Sequence, residues 1–270
     1  MLSLLLAAVL ALPASSAVAQ VPAAQQAPVA AAPDAAALQK EYDALVAEYS
    51  KADEAFWASL PRDASGDISV TEEQMAKRPD NVFGPRFLEF GRRAGKTEAG
   101  CKAWVEALRM VHEPPATRDE IIRQLVEGFA DSPSLARAVP HFGGLRWTKG
   151  SAEAEALLRR VLAETSVDDV KAAATLELAQ VLMDSVYEPG GTEPKPREDV
   201  APARALLSEL VERWPDTQYA QEAKGSLFEI DHLQVGMVAP DVESTDQDGQ
   251  GFKLSDYRGK VVLLDFWGFW

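Results

Sequence analysis

The chain has 270 residues, 47% hydrophobic and 26% charged, a balance that excludes wholesale disorder and collagen-like structure. Its 42 acidic against 27 basic residues leave a net charge of −15, which repels nucleic acid and anionic lipid head groups, so neither is expected as a general partner. One cysteine, Cys101, forms no intrachain disulfide and excludes a cysteine-rich metal site, while the length suggests about two domains.

Residues 2–12 form an apolar run too short to span a bilayer comfortably. Pro13 follows, then Ala17-Val18-Ala19, a small-x-small cleavage pattern. A signal peptide over residues 1–19 is expected, with Gln20 as the new N-terminus. The first segment has no Lys or Arg, so the amino group of Met1 is its only positive charge. No later stretch is apolar enough to cross a membrane, so the expected product carries no integral membrane segment after cleavage. It is expected in the cell envelope or secreted, periplasmic if the source is a diderm bacterium. Residues 20–37 are Ala, Gln, Val and Pro with a single Asp, and read as a disordered linker.

From Leu38 the apolar positions are Leu38, Tyr42, Leu45, Tyr49, Ala52 and Phe56, one stripe of an α-helix. Asp34 is placed to cap its start, and Pro61 lies beyond its end. Four helix pairs follow: Phe87–Arg93 with Ala99–Leu108, Ile121–Phe129 with Leu135–Phe142, Ala154–Leu162 with Asp168–Met183, and Ala203–Trp214 with Thr217–Ile230. Leu125 and Leu158 lie 33 residues apart, close to the tetratricopeptide spacing. The break Trp214-Pro-Asp-Thr217, followed by Ala220 and Ala223, has the look of that family's inter-helix turn. The Pro/Gly-rich stretch 187–200 breaks the period. The expected fold is mainly α: an irregular, TPR-like helical-hairpin array over 38–232, with a face that leaves room for a protein partner.

Nothing in the array reads as a catalytic cluster. His112, His141 and His232 are too isolated for a zinc site, and neither a metal nor a cofactor is expected. Cys101 reads as a small buried hydrophobe. Trp57, Trp104 and Trp147 read as helical core.

At Val235 the composition changes. Val242–Thr245 and Phe252–Leu254 read as short strands about an Asp248-Gly249 turn, and Leu254–Gly259 as a helical turn ended by glycine. Val261–Phe266 reads as a fully buried central strand, broken by Asp265, whose burial raises its pKa unless it is paired.

In order, Gly236-x-x-Ala239-Pro-Asp241, Asp248-Gly249 and Leu254-Ser-Asp-Tyr-Arg-Gly-Lys-Val-Val-Leu-Leu-Asp265-Phe-Trp267-x-x-Trp270 resemble the opening of a thioredoxin-like domain. The likeness is greatest to exported TlpA-like thiol–disulfide reductases, within the redoxin and AhpC/TSA superfamily. Residues 233–270 are therefore read as an incomplete thioredoxin-like domain, the start of an α/β fold. The resemblance implies that Cys-x-x-Cys follows the last motif, one cysteine attacking a substrate disulfide and the other resolving the mixed disulfide. It also implies that Asp265 moves a proton to or from the second cysteine, that Trp267 and Trp270 pack the active-site loop, and that the partners are envelope protein thiols and disulfides. The chain as given stops at Trp270, so the expectation is a truncated, inactive form of such an enzyme, too short to close a thioredoxin core, with Val261–Trp270 left as an exposed apolar strand. Two alternatives stand beside it: a non-enzymatic helical scaffold with a vestigial redox domain, and a peroxiredoxin-type antioxidant, against which the Trp267/Trp270 pair speaks.

Overall fold

The computed structural model describes residues 34–63, 66, 68–112, 114–184, 199–234 and 236–265. The expected signal peptide, most of the expected linker, and Trp267 and Trp270 lie outside the described residues. No helix of the described residues is long and apolar enough to cross a membrane.

Helix α1, Ala35–Ser59, starts where a carboxylate oxygen of Asp34 accepts from the Ala36 amide at 3.0 Å. It thus begins within the last three residues of the stretch read as linker. Leu38, Tyr42 and Leu45 are buried, and the stripe continues half-buried through Tyr49, Ala52 and Phe56. A short helix that the periodicity does not announce, α2 (Glu72–Ala76), is opened by a capping box between Thr71 and Gln74. Five residues hold no full apolar stripe, so its sequence signal is the cap alone.

Helices α3 (Asp80–Ala94) and α4 (Glu98–Met110) form a tight hairpin. Gly95 turns the chain at φ +60°, and the Thr97 hydroxyl accepts from the Gly100 amide at 3.1 Å. A Cβ on Gly100 would stand 2.3 Å from the Gly95 carbonyl oxygen. Gly100→Ala is therefore expected to destabilise the fold by about 1–2 kcal/mol, the backbone clash outweighing the roughly 1 kcal/mol that alanine gains in a helix. Urea denaturation checks this, and a stabilised variant would contradict it.

Helix α5, Pro115–Gly128, opens on proline, which supplies no amide where none is needed. The expected helix Leu135–Phe142 is instead two pieces, a 3₁₀ turn (Pro133–Ala138) and α6 (Val139–Gly143). Pro140 is the reason: it donates no hydrogen bond, and its ring crowds the carbonyl four residues back. A second 3₁₀ turn, Gly144–Trp147, leads into α7 (Ser151–Glu164) and α8 (Asp168–Met183). Trp147 is not core: it is 58% exposed, its ring stacked 3.7 Å from the Arg146 guanidinium carbon.

Helix α8 is buried almost all round, packed against α6, α7 and α9 (Ala201–Arg213). Such a helix needs no polar face. Helix α10 (Gln218–His232) is capped by Thr217 and packs on α9, with Ala203, Ala220 and Ala223 fully buried. Small side chains there let the two backbones approach. The protein is mainly α; among the described residues the only sheet is two-stranded.

Candidate functional site

The C-terminal segment builds outward from a hairpin. Strands β1 (Glu243–Thr245) and β2 (Gly251–Lys253) are antiparallel, with Ser244 opposite Phe252 and Thr245 opposite Gly251. Asp246 makes the turn: one carboxylate oxygen accepts from the amides of Asp248 (3.0 Å) and Gln250 (2.8 Å), and its carbonyl accepts from Gly249, which sits at φ +78°. Glu243 and Lys253 pair across the strands at an exposed position, where the bond adds little.

A 3₁₀ turn, Leu254–Tyr257, follows β2 directly. Its exposed first amides need acceptors. Asp241, at the end of Ala239-Pro240-Asp241, supplies them by reaching across: one oxygen accepts from the Ser255 amide at 2.8 Å, the other from the Ser255 hydroxyl at 2.7 Å. Asp256 accepts from the Lys253 amide at 2.9 Å, and the Leu254 amide donates to the Val242 carbonyl at 2.8 Å. The Ser255 hydroxyl, then its amide, hold the Asp241 carboxyl below the usual carboxylate range. Two distant motif pieces, Ala-Pro-Asp and Leu-Ser-Asp, are thus one hydrogen-bonded unit. The motif pattern alone gives neither Asp241 nor Ser255 a role, and nothing local in either piece announces the bond between them.

Asp241→Ala is expected to open this unit: amide exchange at Ser255 and Leu254 rises to that of exposed coil, while Asp241→Asn keeps an acceptor and loses less protection. Unchanged exchange in Asp241→Ala would refute the tie.

A groove of about 290 Å³ lies between the stretch 238–241 and the stretch 254–264, with Pro240, Tyr257, Val262 and Leu264 among its walls. The expected central strand is not present: residues 261–265 form no strand, and Val261 and Leu263 are almost fully exposed. A central strand needs neighbours on both edges, and among the described residues β1 and β2 pair only with each other. Asp265 is exposed, not buried as expected. Phe266, Trp267 and Trp270 lie outside the described residues, so no geometry joins Asp265 to the two tryptophans.

Cys101 is buried in α4. Burial pushes its thiol up to about 12, against a smaller lowering by the Ser132 hydroxyl, so almost no thiolate exists at neutral pH. Among the described residues no group of three His, Cys, Asp or Glu is arranged to hold a metal ion.

No family model matches the chain. A short stretch of it is similar to thiol–disulfide oxidoreductases. The relatives are thiol-disulfide oxidoreductase ResA of Geobacillus kaustophilus (strain HTA426), 58% identical over 38 residues, and ResA of Geobacillus thermodenitrificans (strain NG80-2), 53% identical over 38. Each match covers 14% of this chain and 22% of the relative. ResA of Bacillus anthracis is 38% identical over 47 residues, 17% of this chain and 27% of the relative. The chain therefore spans about a quarter of the curated relatives it matches. No solved structure matches.

Proposed function

We propose that this chain is the leading part of an exported thioredoxin-like thiol–disulfide oxidoreductase, with a helical module ahead of the redox domain. One observation carries the reading: the ordered motif from Gly236 to Trp270, read beside the short match to ResA proteins. That match, at 38 residues, is as long as the segment 233–270, and we infer that the two coincide. The Asp241–Ser255 tie supports the reading by making the motif's separate pieces one local structure.

In this reading a Cys-x-x-Cys follows Trp270 in the full-length protein. The first thiolate attacks one sulfur of a substrate disulfide, forming a mixed disulfide and expelling the other sulfur as thiolate. The second cysteine then attacks the enzyme sulfur of that bond. The substrate leaves with two thiols, and the enzyme keeps a disulfide. Asp265 is assigned the proton of the second cysteine, and Trp267 and Trp270 the packing of the loop. Cys101 takes no part, because its thiol is buried and protonated.

The coding sequence tests this first: a Cys-x-x-Cys within a few codons after Trp270 is expected, and none in any frame ends the proposal. Thiol titration of the native full-length protein, after reduction, should find that pair reactive and Cys101 silent until denaturant is added. Export has its own readout. Sequencing the secreted or periplasmic product should begin at Gln20, and a product confined to the cytoplasm with Met1 intact would contradict it.

A further inference from the structure

In a chain this acidic, arginines are expected to be matched by carboxylates, and on most of the surface they are. Arg86 pairs with Glu48 at 2.6 Å, Arg92 with Glu120 at 2.7 Å and Arg204 with Asp231 at 2.8 Å, one to one. One corner departs from this. Where the end of α4, the start of α5 and the Pro133–Gly143 stretch meet, Arg109 and Arg137 bind Glu106, and the charges of Arg118, Arg109 and His112 reach His141. Glu106, 8% exposed, receives Arg137 at 2.7 Å and Arg109 at 3.1 Å. Arg118 donates to the Leu108 carbonyl at 2.9 Å instead of to a carboxylate.

Nearby acids are engaged elsewhere. Asp119, next to Arg118 and acting on its charge, also holds Lys149, and Asp80 holds Arg78 at 2.7 Å while accepting from the Tyr49 hydroxyl at 2.8 Å. Glu113, beside His112 in the chain, lies outside the described residues. Burial first, then the charges of Arg118, Arg109 and His112, hold His141 toward its neutral form, with Glu106 opposing weakly. Among the described residues, then, Arg109 and Arg137 share one carboxylate, and Arg118, whose charge is met by Asp119, bonds a backbone carbonyl. The corner is open to solvent: the Arg137 and Arg109 side chains are 58% and 39% exposed, and His112 is exposed.

Held in place by the fold, such guanidinium groups are preorganised for a carboxylate partner, and charge-assisted bonds to them are the strong kind. The Arg109 guanidinium also lies over the Tyr49 ring at 5.3 Å, which fixes its plane. We propose that this corner is the docking site for a carboxylate-rich segment of a partner polypeptide. The charge argument selects that occupant: a basic or neutral segment gains nothing from the surplus cations, and the net charge of −15 repels acidic chains from the rest of the surface. The site is independent of the redox reading, which concerns the other end of the chain.

The test is calorimetric titration of the chain with an end-blocked polyglutamate peptide, with an end-blocked polylysine peptide and inorganic phosphate as parallel arms. Binding of polyglutamate alone is expected in low salt, weakening several-fold as ionic strength rises toward about 0.3 M. Arg118→Gln with Arg137→Gln should weaken it at least about tenfold, and His112→Gln, at an exposed position, by a smaller factor. Arg204→Gln, on the ion pair with Asp231 that joins α9 to α10, should leave it unchanged. Binding should also raise the His141 titration midpoint, followed by NMR. Thermal melting confirms that each variant folds. No polyglutamate binding at about 1 mM peptide overturns the proposal. So does binding of phosphate without the peptide, or equal loss in Arg204→Gln and the corner variants.

Discussion

Phe142→Ala is expected to lower the unfolding free energy by about 3–5 kcal/mol, the upper end of what truncating one buried side chain costs. Phe142 is fully buried and belongs to α6, a helix of only five residues. So short a helix has almost no stability of its own, because nucleation is unfavourable and few hydrogen bonds follow it. Its place is held by packing against α7 and α8, and the phenyl ring supplies much of the apolar area involved. Truncation leaves a cavity whose walls include the rigid, alanine-rich α8, which cannot collapse into it easily. Chemical denaturation should show a lower midpoint at unchanged slope. A loss below about 1 kcal/mol would mean that α6 is peripheral, contrary to the fold described.

Glu177→Gln is expected to do the reverse, stabilising the protein above neutral pH. Glu177 projects from α8 against Gly143, so closely that a Cβ there would sit 2.1 Å from its carboxylate oxygen. Burial raises its pKa to about 7, Glu222 and Asp184 add to the rise, and Arg146 opposes it. Arg146 is committed elsewhere: it donates to the Gly143 carbonyl at 3.0 Å and pairs with Asp184 at 3.0 Å, leaving its buried Nε without an acceptor. Between its ordinary value near 4.5 and about 7, Glu177 holds a proton in the folded chain and not in the unfolded one. Its contribution to stability is therefore full below about 4.5 and is lost as pH rises to about 7. Glutamine keeps the neutral form throughout. A difference of one between folded and unfolded pKa corresponds to about 1.4 kcal/mol, so the variant should exceed the parent by about 3 kcal/mol at about pH 8 and match it near pH 4. The difference between the two proteins isolates this group, since Asp131, Asp231 and Asp241 have lowered pKa values and act with the opposite sign. A variant no more stable at high pH than at low pH, relative to the parent, would contradict the assignment.

The helices were legible where a strong apolar stripe ran the length of the element. Asp34 was readable as a cap, and the four hairpins from Phe87 to Ile230 overlap the stretches the periodicity marked, one of them modified, with α3 and α5 starting earlier than expected, at Asp80 and Pro115. That modification, the break at Pro140, follows from a rule about one residue that periodicity does not contain. Trp147 departs from its expected core position because aromatic content suggests core, while a guanidinium beside it makes an exposed stack the better place. The hairpin β1–β2 was legible from Asp248-Gly249 and the flanking alternation. The Asp241–Ser255 tie was not, because it joins residues 14 apart through side chains, and no local pattern announces such a bond. The buried strand at Val261–Phe266 was expected from composition alone. Burial, however, belongs to the neighbours of a strand and not to its own residues. The cationic corner was the least legible part, since its charges come from α4, α5, a 3₁₀ turn and α6, and its surplus exists only against a net charge of the opposite sign.

The most direct test of the central claim is insulin disulfide reduction by the full-length gene product, recharged by a dithiol, beside a variant in which the first cysteine after Trp270 is serine. The account predicts turnover by the parent and none by the variant, with Cys101→Ser retaining parental activity. Absence of turnover in the reduced, folded parent, or turnover that survives loss of that cysteine, would contradict it.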